Sequence, residues 1–154
     1  MVKEKAIDFG YILDSPCTVS GIESLHVEKQ SMVIVIPLNH PFTECETIHL
    51  NKLENETLIL TEKGCTYRAF LLDKLNKNNI PHNISMELSS VETIKKAVEN
   101  NWGIGFLPAF TIGKSDNVVA IRYADDELNF YSQLIYKKEK TEQKVFNSFM
   151  SLFN

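Results

Sequence analysis

An α/β fold is what this chain of 154 residues predicts, and three features carry that prediction. Two short apolar runs, 31–37 and 57–61, are continuous and rich in β-branched residues, as strands covered on both faces must be. Segments with helical period lie between such runs. The composition, 44% apolar and 23% charged, supplies the core of one domain of ordinary size.

Taken in order, residues 8–13 read as a short strand closed by Asp14, Ser15 and Pro16. The run 31–37 follows, broken by Asn39, His40, Pro41 and Phe42, and 57–61 is the second buried strand, ended by Glu62, Lys63 and Gly64. From Cys65 to Asn79 the period turns helical: Tyr67, Phe70, Leu71 and Leu75 share one face, and Asn79 and Pro81 stop the pattern. Residues 83–88 alternate as a strand does. Ser89-Ser90-Val91-Glu92 then matches a capping box, with Ser89 as cap and Val91, Ile94 and Val98 facing inward; Gly103 is the expected stop. A very short buried strand at 104–108, strands at 118–121 and 130–136, and a final helix from Thr141 with Val145, Phe149 and Leu152 inward complete the pattern. No internal repeat, low-complexity segment or Gly/Ser linker interrupts it.

Charge and cysteine usage narrow the function. Acidic residues outnumber basic ones by 20 to 16, and the only arginines are Arg68 and Arg122, so the chain carries no basic grip for nucleic acid. The N-terminus has no apolar signal segment, and no apolar stretch is long enough to span a membrane. Cys17, Cys45 and Cys65 are odd in number and widely spaced, as in a reduced, cytoplasmic protein. Glycine-rich phosphate loops, paired CxxC motifs and HExxH are absent, and His26, His40, His49 and His82 are scattered. Neither an enzyme nor a cofactor or metal is indicated.

The chemically informative stretch is 61–68. A strand ends, Gly64 allows a tight turn, and a helix opens on Cys65, Thr66, Tyr67 and Arg68. The first N–H groups of a helix lack internal partners and sit at the positive end of its dipole, so they can hold an anion. Thr66 adds a hydroxyl, and Arg68 is a candidate carboxylate clamp. The alternative is plain capping with Arg68 in water. Ser89 and Ser90 open the second helix at a strand end of the kind that lines a cleft, with capping as the alternative there too.

These pieces, in this order, resemble the effector-binding domain of LysR-type transcriptional regulators. The residues that carry the likeness are the apolar strand ending in His40-Pro41, the short segment Leu50-Asn51-Lys52-Leu53, Leu58-Ile59-Leu60, the turn Gly64-Cys65-Thr66-Tyr67-Arg68, the 89–94 helix start, and Gly103-Ile104-Gly105-Phe106-Leu107-Pro108. The resemblance covers nearly the whole chain. It implies a periplasmic-binding-protein-like fold of two α/β subdomains joined by two crossover strands, with a small anionic metabolite bound between them. By that likeness 38–127 form one subdomain, 1–37 and 128–154 part of the other, and the crossovers fall near 33–37 and 129–136. It further implies effector contacts from Gly64, Cys65, Thr66 and Tyr67 and from the loop at Asp14 and Ser15, to which the local readings above add Arg68 and Ser89, and self-association as homodimer or tetramer. DNA binding would come only through an N-terminal helix-turn-helix outside this chain, as would the family's first strand, helix and strand. Membranes are not implied as partners. The competing readings are a solute receptor of a transport system, a thiol-based redox sensor through Cys65, and an enzyme with a Cys65 nucleophile. For the sensor, the position matching the family's resolving cysteine falls near Lys74, which is not Cys.

Overall fold

The computed structural model describes residues 8–140 and 144–153. Among the described residues, nine strands and three α-helices fall into two compact units. One holds β1 (Phe9–Asp14), β2 (Ile22–Gln30), β9 (Phe130–Lys137) and α3 (Lys144–Met150). The other, Gln30–Leu128, holds β3 (Met32–Ile36), β4 (Thr47–Ile48), β5 (Thr57–Thr61), α1 (Thr66–Lys77), β6 (Asn83–Leu88), α2 (Val91–Glu99), β7 (Ile104–Pro108) and β8 (Val119–Tyr123).

The larger unit is built on a six-stranded sheet in the order β4-β8-β3-β7-β5-β6. Strand β3 runs antiparallel to both its neighbours, β7 and β8, whereas β5 is parallel to β6 and to β7. Parallel pairs need long crossovers, and α1 and α2 supply them. Every residue of β3 and of β7 is buried, which is why both read as uninterrupted apolar runs. Val33, Val35, Ile59 and Leu107 pack with Ile94, Ala97 and Val98 of α2. The segment 33–37, expected at a crossing between subdomains, is therefore largely the centre of this sheet; the chain passes between units at Lys29–Gln30 and again at Leu128–Asn129.

Both long helices end in the same way. Asn79 (φ 54°) and Asn101 (φ 61°) take left-handed conformations just past α1 and α2. Ile80 N–H then donates to the Leu75 carbonyl and Trp102 N–H to the Ala97 carbonyl, the bond pattern of a Schellman motif. The stop of α2 is thus Asn101, not Gly103. The start also differs from the capping box: the N-cap is Ser90, Ser89 is exposed, and Glu92 pairs with Lys95 at 2.8 Å. The buried Lys95 ammonium outcompetes a local N–H for that carboxylate.

Gly103 and Gly105 have separate packing duties. A Cβ on Gly103 would meet the Thr57 carbonyl oxygen at 2.6 Å, and one on Gly105 would meet Ile94 Cγ2 at 3.1 Å. The first glycine lets the chain pass against the backbone of β5; the second seats the central side chain of α2.

The smaller unit carries a three-stranded sheet, β1-β9-β2, with β1 antiparallel to β9 from Phe9↔Tyr136 to Asp14↔Tyr131. The nine residues of β2 escape the sequence reading because Glu23, Glu28 and Lys29 dilute the alternation. Helix α3 buries Phe146, which stacks on Phe9 at 5.4 Å and meets Tyr136 edge-on at 4.8 Å. Phe149 also reaches Phe9 as expected, but Val145 and Leu152 are exposed, and Phe146 takes the inward place expected of Val145. The expected helix start at Thr141 lies outside the described residues.

Gly103→Ala is expected to destabilise the chain by about 2 kcal/mol or more, since the clash is with backbone. Gly105→Ala should cost less, because the Ile94 side chain has some freedom to give. Urea denaturation of the two variants measures the order; equal losses would refute it.

Candidate functional site

The turn that the sequence singles out is formed where β5 stops. Thr61 ends the strand, Gly64 takes φ +98°, and Cys65 N–H donates to the Glu62 carbonyl at 3.4 Å. Cys65 is the N-cap of α1, and its side chain makes no capping bond; its carbonyl accepts the Ala69 N–H at 3.1 Å. The strand–turn–helix order thus places Thr66 and Tyr67 in the first turn of α1, at the C-terminal end of a parallel strand. That is the position at which α/β sheets present ligand-binding crevices.

Tyr67 is partly buried, stacked edge-on at 6.3 Å against Phe106. Burial pushes its phenol well above the ordinary tyrosine range, and the adjacent Cys65 acts in the same direction. Tyr67 is therefore a neutral hydroxyl at any physiological pH. The Thr61 hydroxyl is buried without a partner in hydrogen-bonding geometry among the described residues. Sequence alone does not single Thr61 out, because a Thr at a strand end has an ordinary structural explanation.

Arg68 does clamp a carboxylate, and the carboxylate is the protein's own. Its guanidinium is buried, with Nη2 donating to Glu87 Oε1 at 3.0 Å and Nη1 lying 2.9 Å from Glu87 Oε2. Nη1 also donates to the Thr61 carbonyl, so Arg68 ties the end of β5 to β6 beneath the turn. The sequence could not show this, since Glu87 stands 19 residues away on an alternating strand. The bond to Arg68 holds the Glu87 carboxyl below its ordinary value.

Ser15 belongs to the other unit. It is exposed in the loop after β1, and its N–H donates to Asp14 Oδ1 at 2.7 Å. That loop is held by Gln133, a fully buried amide on β9 that sequence reading overlooked. Its Nε2 donates to the carbonyls of Asp14 (3.2 Å) and Ser15 (2.8 Å), and its Oε1 accepts the Cys17 N–H at 3.0 Å. A Ser-Gln pair inside the apolar run 130–136 was the available signal. Ser89 is exposed one residue before the α2 cap. A surface hollow of about 430 Å³, lined by Pro37, Leu38, Asn39, Glu99, Asn101 and Asn117, lies at the opposite end of the sheet from the turn. Among the described residues no group of His, Cys, Asp and Glu is arranged to hold a metal ion, and no helix is long and apolar enough to cross a membrane.

Sheet order and helix placement are those of the α/β fold expected for a periplasmic-binding-protein-like domain. The whole chain, residues 1–154, matches the family profile described as the LysR substrate binding domain, and the chain belongs to that family. It is 35% identical to an uncharacterized HTH-type transcriptional regulator of Bacillus subtilis, YwqM, over 95% of this chain and 50% of that protein. It is 28% identical to the HTH-type transcriptional activator CmpR of a Synechocystis strain, over 94% of this chain and 48% of that one. The chain spans about half the length of the curated relatives it matches. Among solved structures, the CcmR regulatory domain of Synechocystis in complex with 2-PG superposes with a TM-score of 0.80 at 18% identity, covering 98% of this chain and 74% of that one. The effector-binding domain of QuiR in complex with shikimate gives 0.79 at 19% identity, covering 97% and 71%. The family is one of transcriptional regulators, which sets aside the enzyme and transport-receptor readings.

The Arg68–Glu87 pair makes a pH prediction with a definite sign. Because Glu87 is held below its ordinary value of 4.5, its contribution is complete above that value and is lost as pH falls through the lowered one. Urea midpoints measured between about pH 6 and pH 3 should fall less steeply for Glu87→Gln than for the parent chain. Parallel curves would show that the pair contributes nothing.

Proposed function

We propose that this chain is the effector-sensing part of a cytoplasmic LysR-type regulator and that the turn 62–65 with the start of α1 contacts a small anionic metabolite. The observation that carries the reading is the geometry at Gly64 and Cys65: a left-handed glycine presents the uncapped N-terminus of a twelve-residue helix at the C-terminal end of β5. Such a terminus attracts negative charge through its N–H groups and dipole. Thr66 and the neutral Tyr67 phenol add hydroxyl groups, and Cys65 lines the turn. Arg68 serves by fixing the Thr61 carbonyl and Glu87, so its effect on ligand passes through the turn's shape. Ser15 enters the proposal through the family resemblance, and Ser89 through its place at the strand end that opens α2.

The ligands named for the CcmR and QuiR structures, 2-PG and shikimate, support an anionic effector class. DNA recognition is assigned to a helix-turn-helix domain of the full regulator, as the HTH-type relatives suggest. Self-association is proposed as well: Tyr11, Val145 and Leu152 of the smaller unit are 68%, 78% and 76% exposed, and a second copy would cover such apolar side chains.

The test is calorimetry on the full regulator with 2-PG, shikimate and a series of small carboxylates and organic phosphates. For any compound that binds, Thr66→Val is expected to weaken affinity by roughly 1–3 kcal/mol, about 5- to 150-fold. Gly64→Asp, which adds a negative charge and strains a left-handed position, should weaken it further. Unchanged affinity in both variants would place the effector elsewhere. Light scattering of the 17.6 kDa chain should show dimers or larger species; a monomer at high concentration would refute self-association.

A further inference from the structure

At the end of the six-stranded sheet opposite the Gly64 turn, β3 stops and its antiparallel neighbours β7 and β8 begin, paired Val35↔Gly105 and Ile36↔Val119. Three separate pieces of chain meet there. Leu38 and Asn39 lie in the turn after β3, which the His40 N–H closes on the Pro37 carbonyl at 3.1 Å. Asn101, left-handed at φ 61°, follows α2, and Asn117 precedes β8. Together with Pro37 and Glu99 these residues line the hollow of about 430 Å³, and all of them belong to the larger unit. That volume falls within the roughly 300–1,000 Å³ of small-molecule sites.

The lining is rich in amides and balanced in charge. Glu99 is its one charged residue, and each carboxylate oxygen is engaged: Oε2 accepts from the Lys96 ammonium at 2.7 Å and Oε1 from the Asn117 amide at 3.1 Å. The last carbonyls of α2, just before Asn101, carry the negative end of the helix dipole. An anion would therefore meet a carboxylate and a negative helix end, whereas a cation would find that carboxylate already neutralised by Lys96. A neutral hydroxyl fits better. A side-chain amide sets a donor beside an acceptor, and a hydroxyl offers both on one oxygen. Leu38, 63% exposed, adds an apolar surface for the C–H face of a ring.

We infer that this hollow is a second binding site, for a neutral polyhydroxylated molecule of monosaccharide size, held by Asn39, Asn101 and Asn117. The site is independent of the effector reading, since it lies at the other end of the sheet and selects against negative charge. Two of its three amides are fixed before any ligand arrives, which lowers the ordering cost of binding. The Asn101 backbone is set by its own N–H to the Val98 carbonyl at 2.9 Å, and the Asn117 side chain by Glu99. The bond to Glu99 uses the Asn117 Nδ2, which leaves Oδ1 to accept from a ligand hydroxyl.

The test is titration of the isotope-labelled 154-residue chain with glucose, sorbitol and myo-inositol, and with gluconate as the anionic counterpart. The readouts are the backbone amide resonances and the indole N–H of Trp102, the sole tryptophan, 56% exposed and next to Asn101. At least one of the three polyols is expected to shift Asn39, Asn101, Trp102 and Asn117 saturably while Gly64 and Cys65 stay in place. Saturation should fall in the millimolar range, because each hydrogen bond in so open a site replaces one to water. Asn101→Gly keeps the left-handed backbone and deletes the amide, and Asn39→Ala deletes another from an exposed turn. Each should weaken binding by roughly 2- to 12-fold, the worth of one hydrogen bond. No saturable shift with any of the three polyols, or the same affinity in both variants as in the parent chain, would overturn the site. Gluconate binding there as tightly as glucose would overturn the neutral class of ligand.

Discussion

Everything in the larger unit depends on β3 being buried on both faces. Met32, Val33, Ile34, Val35 and Ile36 leave at most 6% of any side chain in water. Each such side chain contributes about 1.5–3 kcal/mol on burial, so the strand is stable only where neighbours flank it and helices or loops cover it. Antiparallel β7 and β8 flank it, and α2 covers the face that carries Val33 and Val35. Placing β7 next to β3 then fixes β5 on its far side, parallel to it, and the C-terminal end of β5 carries the turn that opens α1. The position of the turn at Gly64 is thus a consequence of where the apolar centre lies.

Around that apolar frame the charged and amide groups with little exposure are each satisfied by several partners. Arg68 holds Glu87 and the Thr61 carbonyl; Lys95 holds Glu92, Asp116 and the Thr111 carbonyl; Lys74 holds Asp125 and Glu127. Replacing one partner of a buried charge commonly costs more than the pair contributes as a whole, so these groups act on geometry more than on net stability. Each one ties an irregular stretch to a regular element: the end of β5, the loop 109–118, and the segment that leaves the larger unit. Surface loops have to be held this way, since they bring few apolar contacts of their own.

Legibility in the sequence followed the physics of pattern. Strands β3, β5 and β7 were readable because burial on both faces leaves a continuous apolar run, and α1 because Leu71 and Leu75 keep a helical period. Strand β2 was not, since its charged residues obscure any alternation. The α2 cap shifted by one residue because Lys95 recruits Glu92, a partnership that spacing alone does not distinguish from a capping box. The turn at Gly64 is visible from Gly, Cys and Thr after a buried strand, whereas the roles of Arg68, Glu87 and Gln133 rest on the Arg68–Glu87 pair, 19 residues apart, and on Gln133 contacts up to 119 residues apart along the chain. Local pattern reports which element a residue belongs to; long-range polar partners are chosen by the fold.

The central claim, that the start of α1 meets the effector, is tested most directly by the backbone amide resonances of this chain on titration with 2-PG, shikimate and related small anions. The account predicts that a binding anion shifts the amides of Gly64, Cys65, Thr66 and Tyr67 most. Shifts centred instead on the hollow at Pro37, Asn39 and Asn101, with the turn unmoved, would contradict it.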